Sequence, residues 1–123
     1  MFISLCLILY IINTNYSKHD TTVDLKGSNG LWNVSLNIHF KYDSQLIIEP
    51  MRDDFKIPSE ISIDIIVNNK RAYADRLKYI PNSNEKFLGK YMVNFSDDYF
   101  KKDIKYATII IRFNNKSNSV FLS

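Results

Sequence analysis

Between Trp32 and Tyr42, apolar and polar side chains alternate without a break. The apolar positions are Trp32, Val34, Leu36, Ile38, Phe40 and Tyr42, and the polar positions are Asn33, Ser35, Asn37, His39 and Lys41. Because successive side chains of a strand point to opposite faces, this period of two predicts a β-strand with one face on a core and one in water. We expect Trp32 to anchor that core.

Six further segments have strand-like patterns and are separated by turn-forming residues, as in a sandwich or barrel. These predicted strands cover residues 45–49, 60–68, 71–80, 87–95, 104–113 and 120–122. A helix is the alternative for residues 71–80, because Tyr73, Leu77 and Ile80 also suit one helical face. Residues 51–58 are predicted to cross between sheets, a single helical turn is expected after Ser96, and 114–118 is predicted as a hairpin loop. With the Trp32 segment, about seven strands result, which predicts a single all-β antiparallel sandwich.

The first seventeen residues carry no charged side chain, and an apolar run extends from Phe2 to Ile12. A run of this length is typical of a signal-peptide core and is short for a bilayer span. We therefore expect residues 1–17 to be a signal peptide or an uncleaved apolar segment, which predicts a secreted or envelope-associated protein outside the cytoplasm. Contact with a membrane would occur only through an uncleaved segment. A buried first strand is the alternative interpretation.

Residues 18–30 are polar apart from Val23 and Leu25, and they include two glycines. This composition predicts a linker, followed by the sandwich domain at residues 31–123. Cys6 is the only cysteine, so an intramolecular disulfide is excluded. The formal net charge of +3 comes without dense clusters of Lys and Arg, which argues against a nucleic-acid partner.

The titratable side chains do not form a catalytic or metal-binding pattern. His19 lies in the predicted linker, and His39 lies on the polar face of a strand without a second histidine nearby. The adjacent carboxylates at 53–54 and 97–98 lack the spacing of a calcium loop, and the glycines form no phosphate-binding motif. The sequence therefore predicts a protein that is not an enzyme and that uses no metal or cofactor.

One segment combines basic and aromatic side chains within ten positions and is the candidate binding patch. Its members are Lys70, Arg71, Tyr73, Arg76, Lys78 and Tyr79. Such a patch is suited to an anionic surface polymer or to an envelope protein. The alternative is that these residues belong to an edge strand, where Lys and Arg prevent association with other strands and Tyr packs well.

Several short motifs after residue 26 resemble those of small lipoproteins of Firmicutes that have no assigned activity. The residues that carry the resemblance are Gly27, Ser28, Gly30, Trp32, Pro50, Pro58, Gly89 and the hairpin from Ile109 to Leu122. The resemblance implies an immunoglobulin-like sandwich, and Asp103 and Tyr106 are similar to the tyrosine corner of such folds. In lipoproteins the acylated cysteine follows the apolar core, whereas Cys6 lies inside the run and follows Leu5.

Together, these features predict a non-catalytic binding or interaction module. An accessory structural domain in an envelope protein assembly is the alternative, and a hydrolase ranks third because no nucleophile and base occur in a suitable pattern.

Overall fold

The computed structural model describes residues 22–40, 43–96, 100 and 104–123, which form β-strands and turns without a helix. The eight strands are β1 (Thr22–Ser28), β2 (Trp32–His39), β3 (Ser44–Pro50), β4 (Glu60–Val67), β5 (Lys70–Lys78), β6 (Tyr91–Phe95), β7 (Ala107–Phe113) and β8 (Lys116–Leu122). They form two antiparallel sheets of four strands each. The predicted all-β sandwich is confirmed, with one strand more than expected.

The first sheet has the strand order β1-β2-β3-β6, and the second has the order β5-β4-β7-β8. If β1 is set aside, the seven remaining strands can be compared with strands A to G of an immunoglobulin domain, in which sheet ABED packs on sheet CFG. Six strands take equivalent places. The fourth, β5, lies beside β4 instead of at the edge of the first sheet. The fold is therefore immunoglobulin-like, with one switched strand and one added strand.

The alternation in β2 places its apolar side chains in the core. Trp32, Val34, Leu36 and Ile38 are all buried, which confirms the predicted inward face of this strand, whereas residues 41–42 lie outside the described part of the chain. The matching face of β4 contributes buried isoleucines to the same core. Burial of these alternating residues between the two sheets is the main source of stability for a fold of this kind.

Trp32 lies at the centre of an aromatic cluster that joins both sheets. Its ring meets those of Phe55, Tyr91 and Phe113 edge-on, with centroid distances of 5.6–5.8 Å. Such edge-to-face contacts each add about 0.5–1.5 kcal/mol beyond the area that they bury. The buried Tyr91 hydroxyl donates a hydrogen bond to the Pro58 carbonyl and so connects β6 to the crossing segment that precedes β4. Trp32 is therefore a core residue, as predicted.

Residues 22–28 form β1, so the linker predicted for residues 18–30 is wrong over this stretch, and the sandwich includes residues before 31. β1 pairs with β2 along its whole length, from Thr22 opposite His39 to Ser28 opposite Asn33. Leu25 is buried, and the remaining side chains of β1 are exposed or half-buried. A single inward anchor is enough for an edge strand, because one of its faces remains in water. Residues 18–21 lie outside the described part of the chain.

β1 also closes one side of the sandwich against the end of β8. Lys26 and Ser123 exchange two backbone hydrogen bonds, with N···O distances of 3.2 and 3.1 Å. The backbones approach so closely that a Cβ atom added at Gly27 would lie 1.9 Å from the Phe121 carbonyl oxygen. This close approach explains why the strand carries a glycine at this position.

The starts of β6 and β8 differ by four residues from those predicted. β6 begins at Tyr91 instead of 87, because Phe87 lies in a turn with its side chain exposed. β8 begins at Lys116, because the turn after β7 consists only of Asn114 and Asn115, which have φ angles of 49° and 61°. Asparagine tolerates such positive φ angles, which a two-residue hairpin turn of type I′ requires. The helical turn expected after Ser96 runs through residue 100, and its residues 97–99 lie outside the described part of the chain.

The apolar run that predicts an export signal, residues 1–17, also lies outside the described residues. In the described ranges, no helix combines the length and apolarity needed to cross a membrane.

Candidate binding face

β5, which carries the predicted binding patch, lies at an edge of the second sheet. It pairs only with β4, whose even-numbered side chains point away from the first sheet. The second sheet, formed by β4, β5, β7 and β8, has one surface that points away from the first sheet. We call this surface the outer face. The position at the edge agrees with the protective role that sequence analysis offers for Lys and Arg in this segment.

The two tyrosines of the predicted patch do not share the outer face with its cations. Tyr73 stands opposite the buried Ile65, and its ring stacks on Phe95 of the first sheet with a centroid distance of 4.7 Å. The Tyr79 ring lies 5.3 Å from that of Tyr91, and its hydroxyl accepts a hydrogen bond from the Gly89 N–H at 2.5 Å. Both tyrosines are half-buried and pack between the sheets.

Three of the four cations of β5 lie on the outer face, and a β-bulge brings Arg71 to that face. Arg76 pairs with Ser62 and Lys78 with Glu60, which places both cations on the outer face. The register shifts between Ile65 and Ile66, leaving Ala72 as the additional residue, so that Arg71 pairs with Ile66 and also lies on the outer face. Lys70 pairs with Val67 beside the turn and is exposed on the other face of the strand.

A further cation, Arg112 of β7, joins this face from the other side of β4. Ser62 pairs with Arg76 on β5 and with Arg112 on β7, so it lies between two arginines. With strands about 4.8 Å apart, their Cα atoms are separated by roughly 10 Å, a distance that two guanidinium side chains can span together. Arg112 is not part of the predicted patch, although its place between inward-facing apolar residues of β7 indicates that it points outward.

A buried carboxylate organises two of these arginines. Asp64 is 6% exposed, accepts a hydrogen bond from Arg112 Nη1 and has its Oδ1 atom 3.9 Å from Arg71 Nη1. Its charge holds the two long side chains over the sheet. Arg76 and Lys78 have no ion-pair partner among the described residues.

The outer face of β4, β5 and β7 therefore carries an excess of positive charge. Its cations are Arg71, Arg76, Lys78 and Arg112, and its carboxylates are Glu60 and Asp64. The smaller side chains of Ser62 and Ala74 leave an open depression beside Arg76, and the carboxylates Asp64 and Asp75 also line it. Such a surface attracts anions through several weak, additive contacts.

The other residues considered in the sequence do not converge. The backbone N–H of His39 donates to Ser44 Oγ at 3.2 Å, and His19 lies outside the described residues. Asp54 is exposed and accepts two hydrogen bonds from Arg52, which lower the pKa of its carboxyl group. Within the described ranges, no three His, Cys, Asp or Glu side chains form a group that could hold a metal ion.

The predicted tyrosine corner is not formed by Tyr106. In that motif a hydroxyl binds nearby backbone, whereas the Tyr106 side chain is 51% exposed and makes no hydrogen bond within the described residues. Its ring stacks instead on that of Phe121, which is 60% exposed. Asp103, the other residue of the expected motif, lies outside the described part of the chain.

No family model, curated protein or solved structure proved significantly similar to this chain.

Proposed function

We propose that the protein is a non-catalytic binding module outside the cytoplasm, and that its outer face binds an anionic surface polymer. The observation that carries this proposal is the convergence of Arg71, Arg76 and Arg112 from two strands around Ser62 and Asp64. The extracytoplasmic location rests on the apolar run of residues 1–17.

The arrangement favours a polymer over a small anion. The cations are spread over neighbouring strands, and their side chains are exposed, so each contact with a single anionic group is weak in water. A polymer with repeated carboxylate or phosphate groups engages several cations at once, and the contacts then reinforce one another. Guanidinium groups also suit such anions because they donate two parallel hydrogen bonds.

The proposal is tested by charge reversal at the two unpaired cations, Arg76→Glu with Lys78→Glu. Affinity electrophoresis through gels that contain polygalacturonate or polyphosphate measures retention of the full chain. We expect the double variant to bind at least about tenfold more weakly, a loss of roughly 1.4 kcal/mol, and binding by the parent protein to weaken as salt increases.

The matched control is Lys56→Glu with Lys86→Glu, which alters the net charge equally at exposed positions in the β3–β4 and β5–β6 connections. Equal loss in both double variants would indicate attraction by net charge alone and would contradict a defined face. Failure of the parent protein to bind either polymer would also count against the proposal.

A second candidate, an accessory domain in an envelope protein assembly, is favoured by the free edge of β5. This strand has a neighbour on one side only, and an edge of this kind can accept an added strand from a partner. The assembly role predicts one stable protein partner after crosslinking in the native host. Absence of such a partner would exclude it.

A further inference from the structure

A second feature of the outer face lies where β4 ends and β7 begins. There a cleft of about 380 Å³ opens to solvent. Its lining residues are Ile66, Asn68, Asn69, Tyr106, Ala107, Thr108 and Phe121. Across the sheet, Phe121 pairs with Thr108, which pairs with Ile66, which in turn pairs with Arg71. The cleft therefore adjoins the cations of the outer face, because Ile66 in its lining lies beside Arg71.

The floor of the cleft includes an aromatic platform. The rings of Tyr106 and Phe121 are stacked, with centroids 6.0 Å apart and planes inclined by 27°. Their side chains are 51% and 60% exposed, so much of their apolar surface remains in water. Contiguous exposed apolar surface on a folded domain commonly marks an interaction site.

The rest of the lining adds hydrogen-bonding groups without charge. Asn68 and Asn69 form the turn after β4, with φ angles of 53° and 63°. Neither amide side chain makes a hydrogen bond within the described residues, and Thr108 contributes a hydroxyl group to the lining. An aromatic surface next to free amides suits a ligand that has both an apolar face and several hydroxyl groups.

We propose that this cleft binds a neutral sugar ring of a glycan. The C–H face of the ring would pack on Tyr106 and Phe121, and its hydroxyl groups would hydrogen-bond to the amides of Asn68 and Asn69. The volume falls within the range of small-ligand sites, about 300–1,000 Å³, and the absence of charged residues from its lining favours a neutral group. The site is independent of the polyanion proposal, because it uses none of the cations.

The test uses the full chain and two neutral probes, the β-1,4-linked hexasaccharides of glucose and of N-acetylglucosamine. Titration by nuclear magnetic resonance and calorimetry measures binding to each. We expect Phe121→Ala to weaken binding by about tenfold, as for loss of a stacking partner. Asn69→Gly should weaken it several-fold, because glycine keeps the positive φ angle while the amide is removed.

The matched control is Phe87→Ala, which removes another exposed phenylalanine, 64% exposed, outside this cleft. It should leave binding unchanged, as should Arg76→Glu with Lys78→Glu, which tests the polyanion proposal separately. Thermal unfolding checks that each variant is folded. The sugar site would be excluded if neither hexasaccharide binds, if Phe121→Ala binds normally, or if the cleft instead mediates dimerisation that Phe121→Ala abolishes in sedimentation.

Discussion

Replacement of Gly27 by alanine tests whether β1 truly closes the sandwich against β8. The new Cβ atom would lie 1.9 Å from the Phe121 carbonyl oxygen and 2.9 Å from its carbon. Normal contact requires about 3.5 Å, so the two backbones must separate by roughly 1.5 Å. Because backbone atoms form the obstacle, no side-chain rotation can relieve the clash.

This separation breaks the two hydrogen bonds between Lys26 and Ser123. Each contributes about 1 kcal/mol, and overpacking costs about 1–3 kcal/mol. The smaller entropy of the unfolded alanine chain offsets about 0.4–1 kcal/mol. We therefore expect Gly27→Ala to lower the free energy of unfolding by about 2–4 kcal/mol.

Urea denaturation followed by circular dichroism measures this loss. The matched control is Ser28→Ala, a change at the next, exposed position of β1, which should stay within about 0.5 kcal/mol of the parent protein. If Gly27→Ala is as stable as Ser28→Ala, β1 does not pack on β8, and residues 22–28 form the linker that their composition predicts.

Two further variants test the core and the outer face. Tyr91→Phe should destabilise the protein by about 1–2 kcal/mol at pH 7, because the Pro58 carbonyl loses its buried donor. Burial raises the pKa of Tyr91 in the folded protein. Above about pH 10, the ordinary pKa of tyrosine, this hydroxyl therefore ionises in the unfolded chain before it does in the folded protein. The free energy of unfolding of the parent protein falls as the pH rises in this range. In urea titrations at pH 7 and 10.5, Tyr91→Phe should show a smaller alkaline loss, and an equal loss would contradict this. Asp64→Asn should cost about 1–2 kcal/mol by weakening the contact with Arg112, yet bind polygalacturonate several-fold more tightly; weaker binding on the same gels would refute the electrostatic account.

The sequence predicts those strands whose apolar side chains recur with period two. β2 and β4 follow this rule because each must fill the core from one face, as Trp32 and Ile63 show. β1 escapes detection because a strand at the edge buries few residues, and Leu25 alone provides its fully buried anchor. β1 pairs with β2 and approaches β8 closely at Gly27. The contact with β8 lies far from β1 in the sequence, so no local pattern in β1 indicates it.

The outer face is only partly predictable, because closeness in sequence does not determine which face a side chain occupies. Tyr73 and Arg76 lie three positions apart and therefore point to opposite faces of β5. Arg71 shares a face with Arg76 only because a bulge adds Ala72, and no pattern in the sequence predicts that bulge. Arg112 lies on the outer face beside Ser62 because β7 pairs with β4. The sequence alone does not determine that pairing or its register.

The central claim, that the outer face of the second sheet binds an anionic polymer, is tested most directly by mapping the contact residue by residue. Titration of the isotope-labelled full chain with oligogalacturonate, followed by nuclear magnetic resonance, should shift the backbone signals of β4, β5 and β7 around Ser62, including those of Arg76 and Arg112. Shifts confined to the first sheet, or spread evenly over all exposed lysines and arginines, would contradict the claim.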